Sequence, residues 1–93
     1  MTEASISDNT KVITIDLKWF GMLAEHRGKR KETLKVPAGY TGKELLDRFS
    51  EEIPILEKYR PYIRLAVNHA YENETVILKQ NDEVALITPV SGG

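Results

Sequence analysis

Hydrophobic and polar residues begin to alternate at Lys11. Ile13, Ile15, Leu17 and Trp19 take every second place, with Thr14, Asp16 and Lys18 between them. A period of two puts the first set on one face of an extended chain, so a half-buried strand is expected, with Trp19 in the core or at its edge. Phe20 breaks the alternation, being apolar on the side that otherwise faces water. Residues 21–30 (GMLAEHRGKR) hold two glycines and no sustained period. They are expected to form a loop, with at most one helical turn at Met22–His26. Lys31–Val36 reads as a second strand, with Leu34 and Val36 on one face, able to pair with the first as an antiparallel hairpin.

Pro37-Ala-Gly-Tyr40 is turn chemistry. Thr41-Gly-Lys-Glu44 then has the form of a capping box, in which hydroxyl and carboxylate each take an amide that the first helical turn leaves free. Beyond it Leu45, Leu46, Phe49 and Ile53 make one apolar stripe at helical spacing, opposite Lys43, Asp47, Arg48, Glu51 and Glu52. Pro54 should end this helix near Glu52, and Ile55 and Leu56 should add a short turn before Pro61. Ile63, Leu65 and Val67 predict a third strand, and Asn68-His69 a turn leading to a short strand around Thr75–Leu78. Gln80-Asn-Asp82 is the last turn, and Glu83–Thr88 the final strand, with Val84, Leu86 and Thr88 on one face and Ala85 and Ile87 on the other. No internal repeat interrupts the order β-β-α-β-β-β. It predicts an α+β fold, a mixed sheet packed on one main helix, as in the β-grasp or ubiquitin-like topology.

Residues 1–10 (MTEASISDNT) are polar and expected to be a disordered extension; they lack the basic start and apolar core of a signal peptide. The domain proper is expected over 11–88, with 89–93 as a flexible tail. At 93 residues with 41% hydrophobic and 29% charged side chains, the chain has the composition of a soluble single domain. A domain this small has little room for an internal cavity. No apolar run approaches the about 18–20 residues of a membrane span, so no membrane partner is expected. The net charge of −1 gives no global field for nucleic acid. The densest basic stretch, Arg27-Gly-Lys-Arg-Lys31, is expected to be a solvated loop. Cysteine is absent, which removes disulfides, thiolate metal sites and a cysteine nucleophile, and suits a cytoplasmic location.

His26 and His69 fall in expected loops with no partner spaced for a metal or a catalytic triad, and read as ordinary surface residues. Glu51-Glu52 reads as a solvated pair. No phosphate-cradling glycine motif is present. What remains is the ending, Pro89, Val90, Ser91, Gly92 and Gly93. It can be read as a frayed end or an engineered remnant. It can also be read as a stalk: proline closes the sheet pairing, and two glycines give the thinnest backbone, able to lie in a narrow channel. Adenylation by ATP on a partner enzyme would turn the Gly93 carboxylate into an electrophile, and a persulfide-type donor could then leave a C-terminal thiocarboxylate.

Val67-Asn68 together with Asn81–Gly93 resembles the C-terminal half of the MoaD/ThiS family of ubiquitin-like sulfur carriers, and Leu17–Glu25 resembles its first strand and following turn. The similarity covers about residues 11–93, and the ending Pro89-Val-Ser-Gly-Gly93 is most similar to the MoaD branch, the molybdopterin synthase small subunits. Thr88 departs from the family, standing where many relatives carry a first proline. The resemblance implies that Gly93 is the modified residue and Gly92 the second tail glycine, and that Phe20 and Ile87 contact partners; both are also apolar on the face that should meet water, and Leu86, beside Ile87, is expected to bind partners with them. It implies activation by an E1-like (MoeB-type) adenylyltransferase that uses ATP, a sulfur donor system, and a MoaE-type large subunit in a heterotetramer, where sulfur passes to the molybdopterin precursor. It implies no bound cofactor or metal and no complete active site within this chain. Two other readings stay open: a sister carrier for thiamine, tRNA thiolation or protein conjugation, and a non-catalytic ubiquitin-like interaction domain.

Overall fold

The computed structural model describes residues 11–88. The expected extension 1–10 and tail 89–93 lie outside the described residues. The elements in order are β1 (Val12–Trp19), α1 (Gly21–Arg27), β2 (Lys31–Pro37), α2 (Gly42–Glu52), α3 (Pro54–Tyr59), a 3-10 turn (Arg60–Tyr62), β3 (Arg64–Val67), β4 (Ala70–Glu72) and β5 (Glu83–Ile87). The strands form one mixed sheet in the order β2-β1-β5-β3-β4. The central pair, β1 and β5, is parallel, and every other pair is antiparallel. Helix α2 packs on one face, which is the β-grasp arrangement.

The sequence pattern explains the core. Ile13, Ile15, Leu17 and Trp19 of β1 are buried on the helix side, facing Leu45, Leu46, Phe49 and Ile53 of the α2 region. Trp19 and Phe49 meet edge to face with ring centres 4.9 Å apart, the geometry that the ring quadrupoles favour. The start of α2 is fully accounted for. Glu44 N–H donates to Thr41 Oγ1 and Thr41 N–H to Glu44 Oε1, completing the capping box. Gly42 and Lys43 N–H donate to the carbonyls of Val76 and Glu74, so the free amides of the first turn all find acceptors.

Three expectations need correction. Residues 21–27 are a helix, not a loop: Leu23 is buried against the core, and Gly28 ends the helix in the left-handed region at φ 82°, where glycine has no Cβ penalty. Likewise Pro54–Tyr59 is a helix, with Leu56 fully buried, where only a turn was expected. The fourth strand is not around Thr75–Leu78. Asn68 and His69 both have positive φ, which makes a two-residue hairpin, and β4 pairs at once from Ala70. Around Thr75–Leu78 the backbone is used otherwise, since Val76 and Glu74 cap α2 and Ile77 makes a single bridge to Thr41.

Candidate functional site

β5 delivers the chain toward its tail from the middle of the sheet. Leu86 pairs with Trp19 of β1 on one side, and Ile87 pairs with Arg64 of β3 on the other. The described chain therefore ends at Thr88 between the end of β1 and the start of β3. Pro89, Val90, Ser91, Gly92 and Gly93 lie outside the described residues.

Next to that exit the sheet turns its uncovered face outward. Lys18, Ala85, Ala66 and Tyr71 stand in one row across four strands, and the following row holds Phe20, Ile87 and Arg64. Together with His69 and Glu83 these strands enclose a shallow groove of about 310 Å³. The two alanines keep its floor low, and Phe20 (49% exposed) and Tyr71 (62% exposed) form its apolar walls. Ile87 is half-buried. Leu86 does not belong to this surface. It is 1% exposed, because the alternation of β5 turns it toward α2, so its side chain is core and offers nothing to a partner.

The groove's rim is charged. Glu83 accepts from Lys18 Nζ at 3.1 Å and lies 3.0 Å from His69 Nε2. The hydrogen bond from the Lys18 ammonium holds the Glu83 carboxyl below its ordinary range, outweighing the opposing effect of desolvation. Across the groove the Arg64 guanidinium lies 4.6 Å from the centre of the Tyr71 ring, a cation–π arrangement. His69 is exposed and Glu83 opens β5, about 13 Å of strand before its end, so this pair does not stand at the tail's root. His26 is exposed on α1. Among the described residues no group of three or more His, Cys, Asp or Glu side chains could hold a metal ion.

A second cluster braces this end of the fold. Arg27 donates to both oxygens of Glu32, at 2.6 and 2.8 Å, and to Glu52 at 2.9 Å, while Trp19 Nε1 donates to Glu32 at 2.6 Å. Its guanidinium lies against the rings of Phe49 and Trp19. Hydrogen bonding to Glu32 pushes the Arg27 pKa up, more than burial pulls it down. The same bond from Arg27 pushes Glu32 down. Partial burial pushes Glu52 up, but the bonds from Arg48 and Arg27 outweigh it and leave it lowered. Arg27 is thus a tie between α1, β2 and α2 rather than part of a solvated basic loop, and Glu52 is paired rather than solvated.

Phe20 and Ile87, singled out in the sequence as apolar on the water side, both line the groove. Sequence reasoning missed Ala66, Tyr71, Ala85 and Arg64. The Asn68-His69 hairpin signal, taken strictly, would have started a strand at Ala70 and put Tyr71 beside Ala66.

The ThiS family model matches residues 17–93 of this chain. The chain belongs to the ThiS family. Among the relatives of this ThiS-family protein, the molybdopterin synthase sulfur carrier subunit of Arabidopsis thaliana is 37% identical over 87 residues, covering 94% of this chain and 91% of the relative. Among solved structures, SAMP1, small archaeal modifier protein 1, from Haloferax volcanii superposes with a TM-score of 0.72 at 29% identity, covering 86% of this chain and 99% of that one. A protein–protein complex of subunits 1 and 2 of the molybdopterin-converting factor from Helicobacter pylori contains a chain that superposes with a TM-score of 0.58 at 26% identity, covering 87% and 100%.

Proposed function

We propose that this ThiS-family protein is the sulfur carrier subunit of a molybdopterin synthase, and that its working group is the α-carboxylate of Gly93. The observation that carries the reading is the family match, which runs through the Gly-Gly tail to residue 93. The similarity to the Arabidopsis sulfur carrier, extending over nearly the whole chain, supports the same reading.

The chemistry follows from the carboxylate. A carboxylate resists nucleophiles until one oxygen becomes a leaving group. On an E1-like adenylyltransferase the Gly93 carboxylate would attack the α-phosphorus of ATP and release pyrophosphate. A persulfide sulfur would then attack the acyl-adenylate and expel AMP, and a second thiol would cleave the resulting acyl disulfide to leave the thiocarboxylate. That sulfur would attack the molybdopterin precursor in a MoaE-type large subunit, and water would restore the carboxylate. The large-subunit partner is supported by the Helicobacter pylori complex. ATP, the activating enzyme and the sulfur donor belong to the partners, and the cycle is assigned to the cytoplasm. The described domain's part is to present the tail beside a surface that a partner can grip, and the Phe20–Ile87 groove lies where such a grip would guide it.

A second reading, a ubiquitin-like protein modifier, is favoured by the similarity to SAMP1. One experiment separates the two. The protein is incubated with ATP, the E1-like enzyme and a sulfur donor from the same organism, then with the large subunit and the pterin precursor. Turnover of precursor to molybdopterin supports the carrier; isopeptide bonds from Gly93 to lysines without turnover support the modifier.

A further inference from the structure

Three pockets meet at Phe20, and cations line them all. One holds Lys29 and Arg30 beside Trp19 and Glu25, another Arg30, Lys31 and Lys18, and the third is the outer groove with Lys18. Trp19 N–H donates to the Arg30 carbonyl at 2.8 Å, so Arg30, Trp19 and Leu86 lie in one row across β2, β1 and β5. Two strand spacings, about 10 Å, therefore separate Arg30 from the end of β5. Arg64 flanks the same end from the other side, opposite Ile87. Lys29, Arg30, Lys31 and Arg64 are exposed, and among the described residues none of the four makes an ion pair.

The placement of Lys31 adds a second observation. It stands directly opposite Lys18. The bonded rows Trp19–Arg30 and Lys11–Ala38 make Lys18–Lys31 a non-hydrogen-bonded pair, the type that brings side chains closest. Like charges in such a pair destabilise a sheet. Lys18 is relieved by Glu83 at 3.1 Å, whereas Lys31 is not. Folding alone gains nothing from this arrangement, but a surface built to meet negative charge does.

We infer that Lys18, Lys29, Arg30, Lys31 and Arg64 form a basic collar around the tail's exit that docks on a carboxylate-rich rim of the large subunit whose active site receives the tail. The inference rests on the carrier reading above and adds the chemistry of the partner's rim. A protein partner is favoured over a nucleic acid because the collar surrounds an apolar centre, Phe20 and Ile87, which is the anatomy of a protein interface. Glu83 is taken up by Lys18, Glu25 lies on the flank, and Asp16, beside Lys18 and Lys31 on the side away from the exit, accepts from Thr33, so the five cations outnumber the acids at the rim. Such charges act mainly on encounter, raising the association rate and making it depend on salt.

The test is stopped-flow association with the large subunit from the same organism, from about 20 mM to about 500 mM salt. The triple variant Lys29→Glu/Arg30→Glu/Lys31→Glu should associate at least about 10-fold more slowly at low salt and lose the salt dependence or invert its sign. The corresponding triple glutamine variant should fall between, and it carries the test if the charge-reversed protein does not fold. The melting temperature of the reversed variant should match or exceed that of the wild type, because Lys31→Glu faces Lys18. Wild-type rates and salt slope in a folded variant would overturn the collar. So would loss of binding to bulk tRNA with partner association unchanged, since that would assign the cations to nucleic acid. The carrier reading fails separately: wild-type protein would then neither acquire a thiocarboxylate nor bind the large subunit.

Discussion

Trp19 and Leu86 face each other across the parallel strands β1 and β5, and both are buried. The next residue of each chain, Phe20 and Ile87, therefore reaches the opposite face at the edge of the outer groove. One step along each strand separates a core contact from a groove-lining position, which the carrier reading proposes as a docking contact. Phe20→Asp is expected to lower affinity for the large subunit about 10- to 100-fold, as for an apolar anchor at the centre of an interface. Its melting temperature should stay within about 3 °C of wild type, because the side chain is half exposed. Leu86→Ala should do the reverse, costing about 2–5 kcal/mol of stability as a large-to-small core change. Titration calorimetry and thermal melts of the two variants check the contrast.

The ion-pair cluster at Arg27 gives a pH dependence with a definite sign. The Glu32 carboxyl is held below its ordinary value of 4.5, first by the hydrogen bond from Arg27. A group lowered in the folded state binds protons more readily when unfolded, so its stabilisation is complete above 4.5 and is lost as pH falls through the folded value. Wild-type stability should therefore drop below pH 4.5. Glu32→Gln, which keeps an acceptor for Trp19 Nε1, should be less stable at neutral pH and show a flatter acid limb. Urea melts across the acid range measure both, and parallel curves would contradict the assignment.

Gly42 sits where α2 crosses β3. A Cβ there would run into Leu65 Cδ2 and come within 3.2 Å of Val76 Cγ1. Gly42→Ala is expected to cost about 1–3 kcal/mol, the usual range for overpacking. Leu65→Val should recover part of that loss in the double variant, giving a coupling that additive sites do not show. Thermal melts of the two single variants and the double variant complete the cycle.

The parts of the fold legible in the sequence were those in which a local pattern and the tertiary contact agree. β1 alternates and is buried on alternate residues; Thr41 and Glu44 spell a capping box and form one; Leu45, Leu46, Phe49 and Ile53 spell a stripe and make the core. What was not legible depends on contacts distant in sequence. Residues 21–27 have too short a pattern to announce a helix, and hold one because Leu23 docks into the core and Arg27 bonds to Glu32 and Glu52. Thr75–Leu78 has the composition of a strand, but the Val76 carbonyl, with that of Glu74 just before it, serves the start of α2. At the candidate site, Phe20 and Ile87 stood out as apolar residues on the wet side. Ala66 and Ala85 did not, since a small residue carries no signal until the strands around it are in register. Leu86, expected to bind partners alongside Ile87, is core instead, because the alternation of its own strand places it inside.

The central claim concerns the carboxylate of Gly93, and intact-mass spectrometry of the full chain tests it most directly. After incubation with ATP, the E1-like enzyme and a sulfur donor, the protein should gain the mass of one oxygen replaced by sulfur, with the change located on Gly93 by fragmentation. A chain lacking Gly93 should fold with the same melting temperature and gain nothing. An unchanged mass in the presence of enzymes that thiocarboxylate their own carrier, or sulfur found on any other residue, would contradict the account.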